Sequence, residues 1–174
     1  MKREIVIRRL RALAQTDIAQ LAAVLSDCVE GGASVSFMHP LAAERAASFW
    51  RRLAADVAAG RRILLVADDA AGIVGTVQVI LDMPENQPHR ADIAKMLVHR
   101  RARRHGVGEA LMRAAEDAAR EAGKTLLVLD TVTDSDAARL YARLGWSLAG
   151  HVPDYALLPR GGLCSTTFYY RRLA

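Results

Sequence analysis

The sequence predicts one α+β domain, with about six to seven strands and about four helices. Three observations carry that prediction. The chain has 174 residues, room for one ordinary domain and no second. Short β-branched runs alternate with segments whose apolar residues recur at helical spacing. No internal repeat, low-complexity tract or linker divides the chain, so residues 1–174 read as one unit. Hydrophobic residues make up 52% and charged residues 25%, the balance of a chain that folds. Aromatics are only 5%, so the expected core is aliphatic, with closely packed alanine helices.

From the N-terminus, residues 4–9 alternate charged and β-branched side chains, an opening strand. Thr16 and Asp17 offer an N-cap ahead of Ile18, Leu21, Ala22, Leu25 and Val29, a helical stripe that Gly31 and Gly32 end. Residues 33–39 read as a loop. Pro40 suits the first turn of a second helix over 41–59, closed by Gly60. Residues 62–67 and 73–81 form a hairpin around a turn at 68–72. Two prolines make 82–90 a loop, and 92–99 is the next strand. A helix then runs over 107–121. Its buried stripe is Val107, Leu111, Ala115, Ala118 and Ala122, and its wet face carries the pairs Glu109/Arg113 and Glu116/Arg120. Residues 126–131 are nearly all apolar, the mark of a central strand. Residues 135–144 form a short helix ended by Gly145. Strands at 146–151 and 165–171 close the sheet, with a Pro/Gly-bearing segment between them.

Composition excludes several classes. No apolar run approaches the roughly 18 residues of a membrane span, so no membrane partner is expected. Arginines interrupt residues 1–11, which removes a secretory signal. Two cysteines, Cys28 and Cys164, argue against a disulfide framework, and a cytoplasmic setting is expected. The five histidines lack metal-ligand spacing, so no metal is expected.

The net charge is +5, from 24 Lys+Arg against 19 Asp+Glu. Positive charge concentrates at residues 100–105, which read Arg-Arg-Ala-Arg-Arg-His. A nucleic acid, a phosphorylated cofactor or a solvated loop would each satisfy such a cluster. The neighbouring residues narrow the choice. Strand, arginines, Gly106-Val107-Gly108 and helix together make an anion site: the glycines let successive N–H groups point into one concavity, and the helix adds its positive dipole end. A dinucleotide fingerprint would need glycine where Leu111 stands. A Walker A loop would need Lys-Ser/Thr where Glu109-Ala110 stands after Gly108. A pyrophosphate cradle is the functional reading, and a plain glycine turn entering a helix is the alternative. Without interleaved aromatics, a nucleic-acid partner is not expected.

Residues 98–108, Val-His-Arg-Arg-Ala-Arg-Arg-His-Gly-Val-Gly, resemble the acetyl-CoA loop of the GNAT N-acetyltransferases, whose core is Arg/Gln-x-x-Gly-x-Gly/Ala. Residues 137–146, Ala-Ala-Arg-Leu-Tyr-Ala-Arg-Leu-Gly-Trp, are similar to that family's second signature. Over most of the chain the likeness extends to the tabtoxin-resistance type of acetyltransferase, through residues 31–38, 55–60, 90–92, 129–131 and 153–155. Arg100 departs from a common proline, Arg104 from a common glycine and Asp134 from a common asparagine.

The resemblance implies a GNAT-like mixed, mostly antiparallel sheet with splayed central strands and acetyl-CoA between strands 92–99 and 126–131. The pantetheine arm would pair with backbone around Met96, Leu97 and Val98, and an N–H near Leu97 or Val98 would polarise the thioester carbonyl. The pyrophosphate would rest on Arg103, Arg104, His105, Gly106, Val107, Gly108 and the amide of Glu109, with Asp134 a further cofactor contact. Tyr141 is by motif position the candidate general acid, since a phenol of pKa about 10 can donate to a thiolate near 8.5. Packing beneath the cofactor is its alternative role. Asp92 and Asp130 would flank the acetyl group, either as base, directly or through water, or as anchors for a cationic substrate. Acetyl would pass directly to the amine, without an acyl-enzyme on Cys28 or Cys164. Loops 31–38, 83–89 and 153–164 would build the acceptor pocket, with Ser34, Phe37, Tyr155 and Arg160 as anchors. The implied acceptor is a small amino-acid-like amine such as a β-lactam toxin. An N-terminal protein or peptide acetyltransferase and a non-catalytic acyl-CoA sensor are the alternatives. The chain is expected to be a monomer or homodimer.

Overall fold

The apolar pattern of the chain is buried on two sides of one sheet. The computed structural model describes residues 4–173. Its strands are β1 (Val6–Leu10), β2 (Arg62–Asp69), β3 (Gly72–Ile80), β4 (Arg90–Val98), β5 (Leu126–Val132), β6 (Ser147–Leu157) and β7 (Leu163–Arg172). Its α-helices are α1 (Gln15–Glu30), α2 (Ala43–Ala58), α3 (Val107–Glu121) and α4 (Asp136–Arg143). The seven strands form one sheet in the order β1-β2-β3-β4-β5-β7-β6. Every pairing is antiparallel except β4 with β5.

The residues of β2 divide between two cores. Ile63, Leu65 and Ala67 pack toward Leu111, Met112 and Ala115 of α3. Leu64 and Val66 pack toward Leu21, Leu25 and the fully buried Trp50 of α1 and α2. Helices therefore cover both faces, which is why β2 reads as an unbroken apolar run rather than an alternation.

The parallel contact positions the site. β4 and β5 pair only through Arg90↔Leu126, Ala91↔Leu127 and Asp92↔Val128. Beyond Asp92 the ladder stops, and the two strands lead away on either side of a cleft. β4 is also bulged there: Thr76 pairs with Leu97 but Gln78 with Ala94, so β4 has one residue more than β3.

Several local expectations are corrected. Asp17 is not the N-cap of α1; Ala14 is, and the Asp17 carboxylate accepts from the Ala14 N–H at 3.0 Å. Pro40 precedes α2 rather than entering it, since the helix begins at Ala43. Glu116 is not on a wet face but 5% exposed. It accepts from Trp146 Nε1 at 3.0 Å and lies 3.0 Å from Arg171 Nε. Ala122, expected inside, is exposed as the C-cap of α3. β6 runs through Pro153 to Leu157, because a register shift between Val152 and Ala156 absorbs the proline in the sheet's edge strand.

Candidate active site

The cleft between β4 and β5 holds a cavity of about 1050 Å3, open along one side. One end is built on the start of α3. Gly106 occupies its N-cap with φ 79°, a left-handed conformation that glycine adopts without penalty. The first-turn N–H groups of α3 lack carbonyl partners within the helix, and no side chain caps them. Gly106, Val107, Gly108 and Glu109 all line the cavity. Gly108 allows a close approach: a Cβ there would lie 3.0 Å from Leu140 Cδ2 and 3.7 Å from Met96 Sδ.

The arginine cluster is less free than its sequence implies. Arg100 pairs with Asp27 and, at 3.0 Å, with Glu30. Arg101 reaches Asp69 at 3.4 Å. Arg103 donates from Nε to the Val98 carbonyl at 3.0 Å and lies 3.8 Å from Asp27. Among the described residues Arg104 makes no ion pair within 4.0 Å, and with Arg103 it lines the cavity. Asp27, buried near the end of α1, also accepts the Arg100 backbone N–H at 2.8 Å. It anchors the loop from behind and was not foreseen.

Asp130, Tyr141, Lys95 and the 31–38 loop line the same cavity. Asp130 lies two residues past the last β4–β5 pair, inside the split, and accepts from Thr166 Oγ1 at 3.0 Å. Tyr141 of α4 is 5% exposed, between Trp146 and Tyr169 with ring centroids 6.1 Å from each. Burial, with Asp130 adding to it, pushes the phenol far above its ordinary range. Ser34, Phe37 and Tyr155 line the cavity too. Ser34 Oγ donates to the Leu157 carbonyl at 2.9 Å, tying the loop to β6. Phe37 packs edge-on against Phe49, and Tyr155 edge-on against Phe168.

Other expected residues lie elsewhere. Asp92 does not line the cavity: it sits where β4 and β5 still pair, and Arg90 holds its carboxylate. His105 and Asp134 are exposed on turns outside the cavity lining. Met96, Leu97 and Val98 do line it, but the Val98 carbonyl already accepts from Arg103. The 83–89 loop precedes β4 and so lies at the opposite end from the cleft. Arg160 donates to the Glu30 carbonyl at 2.8 Å instead of entering the pocket.

Lys95 is the functional candidate that sequence reasoning missed. It sits in the β4 bulge with φ 50°. A signal existed: Lys95 shares its parity with the buried Ile93 and Leu97, where a regular strand would place another apolar residue.

A family model for the acetyltransferase (GNAT) family matches residues 30–146. The chain belongs to that family. This acetyltransferase is 28% identical over 129 residues to an uncharacterized N-acetyltransferase from the hisH-hisA intergenic region of Azospirillum brasilense, over 73% of this chain and 75% of the relative. Its fold is similar to that of yncA from Salmonella typhimurium, solved with its cofactor acetyl-CoA: TM-score 0.79 at 19% identity, covering 98% of this chain and 94% of the other. It is also similar to a ribosomal-protein-alanine N-acetyltransferase from Brucella melitensis, with TM-score 0.79 at 21% identity over 97% and 99% of the two chains. Among the described residues no helix is long and apolar enough to cross a membrane.

Proposed function

We propose that this acetyltransferase moves the acetyl group of acetyl-CoA directly to the primary amine of a small, amino-acid-like molecule. The observation that carries the reading is the pair of chemistries lining one cleft: uncapped α3 N–H groups with Arg104, and Asp130 with a buried, proton-bearing Tyr141. The first pair suits a pyrophosphate. Val107, Gly108 and Glu109 would hold it by backbone, with Arg103 and Arg104 beside it. The backbone of Met96 and Leu97 faces the same cleft where β4 has no β5 partner, and suits an extended pantetheine arm. Bound there, acetyl-CoA supplies an activated thioester whose sulfur departs as thiolate.

The protein's residues then have three tasks. Asp130 receives the acceptor's ammonium and draws its proton away, directly or through water. A backbone N–H of the bulged β4, near Leu97, faces the acetyl oxygen as negative charge develops. Burial keeps Tyr141 protonated before the transfer; it protonates the departing sulfur, and the second N–H proton that the nitrogen sheds as the amide forms restores the phenol. Burial holds the Cys28 thiol protonated as well, which favours direct transfer over an acyl-enzyme. Likeness to the tabtoxin-resistance type supports a β-lactam amino acid as one acceptor, in a cytoplasmic setting.

Thiol release in a panel of amino acids, aminoglycosides, polyamines and peptides tests the reading. Turnover with small amino acids supports it. Acetyl-CoA binding without turnover of any amine would leave the sensor alternative standing.

A further inference from the structure

Lys95 and Asp130 line the same cavity with opposite charges, and Asp130 favours the Lys95 ammonium without touching it. Among the described residues no ion pair joins them within 4.0 Å, and neutral groups hold each one. Thr166 Oγ1 donates to Asp130 at 3.0 Å. The Lys95 ammonium lies 5.7 Å from the centroid of the Phe49 ring and 3.4 Å from Ser36 Oγ. An aromatic face stabilises a cation without discharging it. Behind Lys95 stands a second cation, Arg62, whose Nη1 donates to Gln78 Oε1. Arg62 Nε and Gln78 Nε2 are buried with no hydrogen-bond partner among the described residues. Burial and Arg62 both press the Lys95 ammonium toward losing its proton, and Asp130 opposes them. Arg62 lies 4.0 Å from the Asp56 carboxylate, whereas among the described residues the Lys95 ammonium has no carboxylate within 4.0 Å, and Asp130 lines the same cavity.

We infer that Lys95 determines acceptor specificity: its ammonium binds the carboxylate of an acceptor whose amine faces Asp130. The inference rests on the acetyl-transfer reading of the same cavity and adds a requirement to it. The acceptor must carry both charges. A free amino acid presents an ammonium to Asp130 and a carboxylate to Lys95. A diamine directs its second ammonium at Lys95 and is repelled. The N-terminal residue of a peptide has an amide in place of the carboxylate and leaves Lys95 unpaired. Discrimination thus combines an attraction with a penalty against competitors.

The test compares proteinogenic amino acids, their carboxamides and the diamine putrescine as acceptors, using wild-type enzyme, Lys95→Met and Lys95→Arg. Calorimetric acetyl-CoA binding is measured on each protein. The wild type is expected to prefer amino acids over carboxamides by at least tenfold in kcat/KM. Lys95→Met should erase that ratio by lowering the amino-acid rate alone, with acetyl-CoA binding unchanged, and Lys95→Arg should keep much of it. An unchanged ratio in Lys95→Met, or a wild type that acetylates only carboxamides, diamines or nothing on the panel, overturns the Lys95 assignment while retained acetyl-CoA binding leaves the donor site standing. Loss of acetyl-CoA binding in the wild type itself would instead remove the acetyl-transfer reading.

Discussion

Tyr141, the acid of the proposed mechanism, also sets a pH dependence in the fold. Its folded pKa is raised well above the unfolded value of about 10. As pH rises through about 10, the unfolded chain ionises this phenol and the folded chain does not, so stability falls from there upward to the folded pKa. Alkaline denaturation should therefore be shallower in Tyr141→Phe, measured by urea melts across that range. The same variant should lower kcat about a hundredfold, the usual scale of general-acid loss, with acetyl-CoA affinity nearly unchanged. A normal kcat would take Tyr141 out of the mechanism. For the two aspartates the outcomes diverge. Asp130→Asn should cut kcat/KM for the amine tenfold or more, while Asp92→Asn should leave it near wild type. Among single residues the sequence picked out Tyr141 and Gly106, both of which line the cavity. It was ambiguous for Asp92 and Asp130, because only the end of the β4–β5 ladder separates them.

Helices and strands fix these residues through a few buried polar links. Glu116 of α3 takes the Trp146 N–H and stands against Arg171 of β7, so it joins α3, β7 and the link between α4 and β6. Glu116→Ala leaves a cation and an N–H without their partner and should cost about 3–5 kcal/mol in chemical denaturation. Glu116→Gln should cost less, since it can still accept from Trp146. Asp27 plays the matching part for the arginine loop. Asp27→Asn should weaken acetyl-CoA binding severalfold, because Arg100 and Arg103 lose the charge that holds the loop in place. Neither role was legible from spacing. Glu116 sits four residues before Arg120, which reads as a surface pair until tertiary packing brings Trp146 and Arg171 onto it. Asp27 is separated from its partners by more than seventy residues. The long β6 was hidden for a simpler reason: a proline argues against a strand unless a register shift accommodates it.

For the whole molecule, one parallel pairing of three residues governs everything else. It splits the sheet and opens the cleft that the backbone of β4 and the start of α3 both line. The order of elements and the glycine-to-helix junction were visible in the sequence, because local patterning specifies them. The splay was implied only by the family resemblance, since local patterning does not mark where β5 stops hydrogen-bonding to β4. Every role assigned to a side chain depends on a donor site in that splay, and calorimetric titration with acetyl-CoA probes the site without needing an acceptor. The wild type should bind in the micromolar range. Gly108→Asp should not bind, because its side chain crowds Leu140 and sets a negative charge in the cradle. Arg104→Glu, a surface change that spares the packing, should bind at least tenfold more weakly. Wild-type protein that binds no acetyl-CoA, or variants that bind it as tightly as wild type, would refute the donor site.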